Sequence, residues 1–317
     1  MHARARLGHS SIEVVPLGVG CWAWGDQRFW RFGQDHGPQD VVGAFEACVE
    51  AGLDFYDTAE VYGSGKSEQM LGALVRRSPR PLVVATKYAP LTGRGGPAAI
   101  RSALAKSLKR LGLPRVDLYQ IHWADRDEAP IAPTMDALAE CVRGGEIGAV
   151  GVSNFSAAEM RAAHAALDRH GIPLASNQVR YSLLDRSPEV DGVLDACREL
   201  GVTLLAYSPL EQGLLTGKYT AATIPAGPRA EMEWFAAKNV AAAQSVIAIL
   251  RALAQAHGAT IAAVAIAWLL AKSQVVPIPG AKTREQAEQN ARALDIVLDE
   301  AEIAQLDAAS AAWRVAR

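Results

Sequence analysis

Short apolar runs alternate with longer amphipathic stretches along almost the whole chain. The apolar runs carry hydrophobic residues at consecutive positions, which is typical of strands buried on both faces. Between them hydrophobic residues recur at helical spacing, as Ile100, Leu104, Leu108 and Leu111 do. The predicted strands lie near residues 17–20, 53–57, 82–87, 116–121, 147–151, 174–178, 202–207 and 275–279. The predicted helices lie near residues 39–51, 67–77, 97–111, 131–143, 156–169, 188–200, 260–271 and 283–293.

Eight strand–helix units in succession predict a (β/α)8 barrel of the TIM type. A doubly wound parallel sheet is the alternative, and the number of units makes the barrel the better interpretation. We interpret residues 1–317 as a single barrel domain, since barrels of this length are common. Three segments fall outside the repeat: an N-terminal β-hairpin at 4–15, a helical excursion after strand 7 at 208–257, and a C-terminal helix at 299–310.

Composition narrows the classes of partner. The chain has 32 Lys and Arg against 34 Asp and Glu, a formal net charge of −2, which argues against nucleic acid or an anionic membrane as the main partner. The sequence shows no apolar signal segment, and its four cysteines form no CxxC pair. We therefore expect a cytoplasmic protein with free thiols, either a monomer or a weak homo-oligomer.

Four polar side chains stand at or just beyond the ends of predicted strands. Asp57, Lys87 and His122 end strands 2, 3 and 4, and Tyr62 follows in the loop after Asp57. Strand ends share one rim of a barrel, so these residues are expected to be neighbours. The Lys87 cation is expected to lower the pKa of Tyr62 from its ordinary value of about 10. Such a set suits hydride addition to a carbonyl carbon, with the phenol protonating the oxygen and the imidazole orienting it.

Taken alone, Asp57, Tyr62 and His122 each have a structural explanation, as a turn cap, a loop aromatic and a satisfied core histidine. Lys87 is harder to explain in this way, since a lysine at the end of an apolar strand is rarely buried without a partner. A Schiff base on Lys87, in a hydrolase or an aldolase on the same barrel, is a rival interpretation. The segment SGKS at 64–67 is not a phosphate-binding P-loop, because Glu60 stands where the first glycine is required. No histidine spacing typical of a metal site occurs, so no metal is expected.

Seven segments together resemble the aldo-keto reductases, over essentially the whole chain. The resemblance implies a (β/α)8 barrel that reduces carbonyl compounds with a nicotinamide cofactor, NADP(H), bound without a Rossmann domain. It implies that Tyr62 is the general acid, Lys87 tunes it, Asp57 partners Lys87 and His122 orients the carbonyl. A cofactor-binding sensor of the same fold with very slow turnover is the alternative. The segments are DTAEVYG (57–63), TKY (86–88), QIHW (120–123), GVSNF (151–155), NQVRYS (177–182), AYSPL (206–210) and IPGAKTREQAEQN (278–290).

The resemblance also implies which residues bind the cofactor. It assigns the carboxamide to Ser153, Asn154 and Gln178, and the face of the nicotinamide ring to Tyr207. The remaining positions would follow the pyrophosphate and the adenosine. Two cations at the adenosine end, Lys282 and Arg284, favour NADP over NAD. Those positions are Ser208, Leu210, Gly213, Leu215, Gly280, Ala281, Lys282, Arg284, Gln289 and Asn290.

The segment GVGCWAWGDQRFWRFG after strand 1 is similar to a plant and cyanobacterial subgroup that includes pyridoxal reductase. An apolar, aromatic substrate site follows from that similarity, suited to pyridoxal-like or other small aromatic aldehydes. Packing beneath a loop is the alternative for the tryptophans of this segment. The candidate substrate residues are Trp24, Trp30, Tyr88, Trp123 and Phe155.

Overall fold

A ring of parallel strands organises the chain. The computed structural model describes residues 3–125, 127–220 and 222–315. Strands β1 (Ala5–Arg6) and β2 (Glu13–Val14) pair antiparallel as the expected N-terminal hairpin. Eight parallel strands follow in chain order around one sheet. They are β3 (Val19–Gly20), β4 (Phe55–Asp57), β5 (Val83–Tyr88), β6 (Val116–Ile121), β7 (Ile147–Ser153), β8 (Leu174–Arg180), β9 (Thr203–Tyr207) and β10 (Val275–Pro277).

Backbone hydrogen bonds connect the first and last strands of this sheet. The Gly18 N–H donates to the Pro277 carbonyl at 2.9 Å, and the Gly20 N–H donates to the Pro279 carbonyl at 3.0 Å. A parallel bridge joins Gly20 to Gly280. The sheet therefore curls back on itself, and the predicted (β/α)8 architecture is confirmed.

The helices cover the outside of the sheet, close to their predicted positions. The predicted helix 188–200 begins only at Val193, because Ser187–Glu189 forms a 3₁₀ turn around Pro188 and Gly192 has φ 84°. The excursion after β9 contains short 3₁₀ helices at Glu211–Thr216, Gly227–Glu231 and Glu233–Phe235. The α-helices are α1 (Pro38–Glu50), α2 (Lys66–Val75), α3 (Gly96–Leu111), α4 (Ile131–Arg143), α5 (Ala157–Asp168), α6 (Val193–Leu200), α7 (Ala237–Ala256), α8 (Ile261–Leu270), α9 (Arg284–Ala291) and α10 (Glu300–Ala309).

The hairpin fills one end of the barrel. Leu7, Ile12 and Val14 pack in the same apolar cluster as Phe55 and Leu118, which come from the barrel strands. Removing these side chains from water stabilises the hairpin against the strand ends. The other end of the barrel, where the strands finish, carries Asp57, Lys87 and His122.

Helix α7 is the one helix in the described ranges that is long and apolar enough to cross a membrane. A core helix of a globular protein passes the same test, and α7 buries Val240, Val246, Ile247 and Leu250 inside the molecule. The length and composition of α7 therefore assign no membrane role.

Two helical glycines give a matched test of packing. A Cβ at Gly72 in α2 would lie 2.0 Å from the backbone oxygen of Leu111, whereas a Cβ at Gly43 in α1 would meet Arg284 at an ordinary 3.6 Å. We expect Gly72→Ala to lower the free energy of unfolding by about 1–3 kcal/mol or more, because α3 must shift. Gly43→Ala should be neutral or stabilising by up to about 1 kcal/mol. Urea denaturation measures both, and equal stabilities of the two variants would contradict this packing.

Candidate active site

The structure brings Asp57, Lys87, Tyr62 and His122 together at the C-terminal ends of the strands. Asp57 ends β4, Lys87 lies one residue before the end of β5, and His122 follows β6 directly. The Lys87 ammonium pairs with the Asp57 carboxylate and donates to the Thr58 carbonyl at 2.8 Å and to the Tyr62 hydroxyl at 3.3 Å. These contacts use the three N–H donors of the ammonium. The lysine is thus fixed between a carboxylate and a phenol.

Charges and burial oppose each other within this group. Burial disfavours the Lys87 ammonium, but Asp57 and Tyr62 together outweigh it and raise the pKa of Lys87. Burial raises the pKa of Tyr62, and Lys87 offsets only part of that rise because Asp57 acts in the opposite direction. The prediction that Lys87 leaves Tyr62 with a lowered pKa is therefore wrong, and the phenol is kept protonated.

His122 is held as a neutral imidazole. Burial, reinforced by the Lys87 charge, lowers the pKa of His122 to about 3. Its ring centroid lies 5.7 Å from that of Tyr62, in an edge-to-face arrangement. Its Nδ1 is buried and has no hydrogen-bond partner among the described residues. A neutral ring with one N–H can donate a hydrogen bond without carrying a charge.

Two glutamines hold the second oxygen of Asp57. The amide nitrogens of Gln120 and Gln178 each donate to Asp57 Oδ2 at 2.9 Å, and Gln178 Nε2 also donates to Gln120 Oε1 at 3.2 Å. Sequence reasoning missed Gln120. The signal available was a glutamine inside the apolar run of β6, where the barrel interior is expected to be hydrophobic.

A cavity of about 520 Å³ opens above these residues. Most of the cofactor positions implied by the resemblance lie along its wall. They are Ser153, Asn154, Gln178, Tyr207, Ser208, Leu210, Gly213, Gly280, Lys282, Gln289 and Asn290. The Tyr207 hydroxyl donates to Asn154 Oδ1 at 3.0 Å, and Asn154 Nδ2 donates to the His122 carbonyl at 2.9 Å. The strand ends and α9 therefore face one common space.

Three of the expected cofactor residues lie outside that wall. Leu215 and Ala281 are buried in the core. Arg284 donates to Glu50 at 2.7 Å and to Glu46 at 3.1 Å, both on α1. The Arg284 guanidinium, held by the α1 carboxylates, is not part of the cavity wall. The prediction that these three residues bind the cofactor stays a prediction, and for Ala281 it concerns the backbone N–H, which the burial of its side chain does not test.

The aromatic residues that line one end of the cavity differ in part from the predicted substrate residues. Trp30 and Trp123 line it as expected, together with Trp22, which sequence reasoning missed. Trp22 stacks on Tyr62 with ring centroids 5.9 Å apart. Trp22 follows the end of β3 by two residues, so the strand-end rule could have found it.

Three other aromatic residues expected to contact substrate are buried elsewhere. Trp24 is fully buried and donates its indole N–H to the Ala281 carbonyl at 2.8 Å. Tyr88 is also fully buried and donates to the Arg94 carbonyl. Phe155 belongs to the main apolar cluster. The prediction that Trp24, Tyr88 and Phe155 line the substrate site is wrong, because each side chain points into packing between the strands and helices.

Three cations form a cationic end of the cavity beside Trp30. Lys218, Arg229 and Lys282 line it, and none of them forms a salt bridge with a carboxylate in the described part of the chain. The Arg229 guanidinium lies 5.1 Å from the Trp30 ring centroid, and the Lys282 ammonium lies 5.5 Å from it. Burial, followed by repulsion from Arg229 and Lys218, lowers the pKa of Lys282 to about 8. Sequence reasoning missed Lys218 and Arg229, since nothing in the pattern of the excursion places them.

Unusual backbone conformations border the same cavity. Asn154, Ser208 and Gln212 have φ values of 57°, 50° and 52°, in the left-handed region that side chains other than glycine rarely adopt. Gly213 follows with φ 102°. Such conformations cost about 1–3 kcal/mol each and cluster at functional sites. Their position marks the cavity rim as a functional site.

The sequence profile described as the aldo/keto reductase family matches residues 16–311. The chain belongs to the aldo/keto reductase family. The resemblance seen in the sequence is thereby confirmed, and the cavity described above is the candidate active site of an oxidoreductase.

Relatives of this aldo/keto reductase differ in substrate and coenzyme. The chloroplastic pyridoxal reductase of Arabidopsis thaliana is 35% identical over 311 residues, which cover 94% of this chain and 84% of that protein. The NADH-specific methylglyoxal reductase of Escherichia coli K12 is 33% identical over 316 residues, 93% of this chain and 94% of that protein. The crystal structure of an aldo-keto reductase from Klebsiella pneumoniae in complex with NADPH is similar at a TM-score of 0.77 and 30% identity, covering 97% of this chain and 95% of that one. These similarities support carbonyl reduction with a nicotinamide coenzyme.

The state of His122 can be checked directly. With a pKa of about 3, its imidazole should remain neutral and show no titration between about pH 5 and pH 9. Nitrogen-15 NMR of histidine-labelled protein, with His122→Asn used to assign the resonance, measures this. A His122 resonance that titrates near neutral pH would contradict the burial described here.

Proposed function

We propose that this aldo/keto reductase reduces small, uncharged aromatic aldehydes with NADPH, and that Tyr62 delivers the proton. The observation that carries the proposal is the Tyr62 hydroxyl, 3.3 Å from the Lys87 ammonium, in a cavity with an aromatic end and a cationic end. A carbonyl group bound beside Trp22 would lie within reach of the phenol, because Trp22 stacks on Tyr62.

The chemistry of the cavity fits a nicotinamide dinucleotide. Such a coenzyme carries anionic phosphates, and the Lys218, Arg229 and Lys282 cations face the cavity without carboxylate partners in the described ranges. Arg229 Nε and Gln212 Oε1 are buried polar atoms without hydrogen-bond partners among the described residues. Unsatisfied buried polar atoms are rare in folded proteins, so these two support the presence of a polar ligand. When bound, the coenzyme supplies the hydride.

The residues of the chain have separate tasks in this proposal. Ser153, Asn154 and Gln178, which line the cavity, would hold the carboxamide of the nicotinamide. Tyr62 gives the proton on its hydroxyl to the carbonyl oxygen, and the Lys87 ammonium stabilises the phenolate that remains. The neutral His122 ring donates a hydrogen bond to the same oxygen and fixes its direction.

Coenzyme choice follows from the number of cations. A pyrophosphate carries about two negative charges, and a 2′-phosphate adds more. Three cations facing one cavity favour the more highly charged NADPH. The NADPH complex of the Klebsiella pneumoniae relative supports this choice, whereas the relative from Escherichia coli is NADH-specific by name.

Substrate class follows from the aromatic end. Trp22, Trp30 and Trp123 provide flat apolar walls beside Tyr62 and His122. Aromatic rings pack favourably against such walls in offset or edge-to-face geometry. The Arabidopsis thaliana relative is named for pyridoxal, an aldehyde of this type.

Replacement of Tyr62 tests whether this residue is the general acid of the proposed reaction. We expect Tyr62→Phe to lower the turnover number by about 10²–10⁴-fold, the usual contribution of general acid catalysis. NADPH binding should stay within about twofold, since no charge is removed. NADPH oxidation with benzaldehyde and pyridoxal measures turnover, and quenching of tryptophan fluorescence measures binding.

Tyr56→Phe is the matched control, because the buried Tyr56 hydroxyl has no partner among the described residues and lies outside the cavity lining. It should keep the activity of the original protein. Normal turnover in Tyr62→Phe would remove Tyr62 from the mechanism.

The lowered pKa of Lys282 predicts that the affinity for NADPH depends on pH. Its pKa is about 8 without ligand, and a bound phosphate raises it, so the protonated lysine binds the anion better. Affinity should be constant below about pH 7 and fall by up to about tenfold per pH unit above pH 8. Fluorescence titrations at a series of pH values measure the slope.

Lys282→Arg should keep its charge and remove most of that slope, because an arginine stays protonated throughout this range. A slope that is unchanged in Lys282→Arg would show that another group titrates.

A further inference from the structure

Three aromatic rings in the loop after β3 contact one another. The Trp22 and Phe29 rings stack with their centroids 4.7 Å apart and their planes 14° apart. The Trp30 ring meets Trp22 edge to face at 5.5 Å and Phe29 at 5.4 Å. Trp22 and Trp30 line the cavity, whereas Phe29 is not part of its wall. Any effect of Phe29 on a bound molecule therefore passes through the two tryptophans.

Ring contacts, rather than a polar anchor, orient Trp22. Its indole N–H donates no hydrogen bond to any residue in the described ranges, whereas the N–H of Trp24 is tied to the Ala281 carbonyl at 2.8 Å. Trp22 is also only half-buried. Of its three ring contacts, the one with Phe29 is the shortest and the most nearly parallel. Stacked rings stabilise each other beyond the area that they bury, so Phe29 is the main support of the indole.

The backbone of this loop is fixed independently of the Phe29 ring. Asp26 Oδ1 accepts hydrogen bonds from the Phe29 N–H at 2.6 Å and from the Trp30 N–H at 3.1 Å. The Asp26 carbonyl accepts another from the Phe32 N–H at 2.9 Å. Hydrogen bonds from a side-chain carboxylate to nearby backbone N–H groups stabilise turns of this kind. Removal of the Phe29 ring therefore leaves the turn in place and takes away the support of the indole.

We propose that Phe29 is a positioning residue, which holds the Trp22 indole stacked beside Tyr62 and so gives the site a preference for aldehydes with a planar ring. This inference rests on the proposed function and deepens it, because it assigns the selectivity of that site to one side chain. A planar ring gains most from stacking on a wall that is already ordered, since ordering a mobile side chain on binding costs affinity. An aldehyde without a flat face makes no such contact, and its binding does not depend on how firmly the indole is held.

Two aldehydes of similar size test this preference. Benzaldehyde has a planar ring, and cyclohexanecarbaldehyde has a puckered one. In Phe29→Ala we expect the ratio of their kcat/KM values, benzaldehyde over cyclohexanecarbaldehyde, to fall by about 3–10-fold from the ratio of the original protein. The loss should appear in the KM of benzaldehyde and not in kcat, because stacking acts equally on the bound aldehyde and on the transition state. Initial rates of NADPH oxidation at saturating NADPH measure both constants.

Two further variants are matched controls. Phe29→Tyr keeps the ring and should keep the original ratio. Phe32→Ala removes another half-buried ring from the same loop, one that contacts His36 edge to face at 5.3 Å, and it should keep the ratio as well. Thermal denaturation shows whether each variant is folded. A loss of stability alone would not change a ratio between two substrates of the same protein.

The outcomes separate the two proposals. An unchanged ratio in folded Phe29→Ala refutes the role of Phe29 and leaves the proposed function standing. Equal losses of kcat/KM for both aldehydes, or an equal fall of the ratio in Phe32→Ala, refute that role too, because neither is specific to the support of the indole. If the original protein reduces neither aldehyde with NADPH, the proposed function and this inference fall together. If Phe29→Ala does not fold, Phe29→Leu takes its place, with an expected fall of about 2–5-fold, and an unchanged ratio again contradicts the inference.

Discussion

The buried pair of Lys87 and Asp57 is the contact on which the site depends. Removing one partner of such a pair typically costs about 3–5 kcal/mol, because the other charge is left without compensation. Here every donor of the ammonium is used, by Asp57, Thr58 and Tyr62. The second oxygen of Asp57 is satisfied by Gln120 and Gln178. The barrel tolerates these charges because each has its partners in place.

The two ends of the cavity are joined through the loop after β3. Trp30 of this loop lies against the cations Arg229 and Lys282, and its ring meets that of Trp22 edge to face at 5.5 Å. Trp22 in turn stacks on Tyr62. A continuous series of aromatic contacts therefore connects the cationic end of the cavity to the phenol, and the loop and the excursion after β9 enclose the same space.

At Tyr62 burial, rather than the nearest charge, sets the direction of the pKa shift. Lys87 lies beside Tyr62 and favours its phenolate, yet removal from water and the Asp57 charge leave the pKa of Tyr62 raised. Removal from water is also the largest cause that lowers the pKa values of His122 and Lys282, and neighbouring cations add to it. A protonated phenol and a neutral imidazole are both forms that donate a hydrogen bond to a carbonyl oxygen, so the directions of these shifts suit reduction.

The sequence by itself determined the barrel, the position of its strands and the grouping of Asp57, Tyr62, Lys87 and His122. Strand periodicity fixes which residues end a strand, and parallel strands bring those ends to one rim. Only the tertiary structure decided that Trp22 rather than Trp24 faces the cavity, that Arg284 pairs with α1, and that Arg229 reaches the cationic end. Loop conformation and ion pairing between distant segments depend on contacts across the fold, and no local pattern in the chain encodes them. The hydrogen bond from Gln178 to Asp57 belongs to the same class, since it joins residues 121 positions apart.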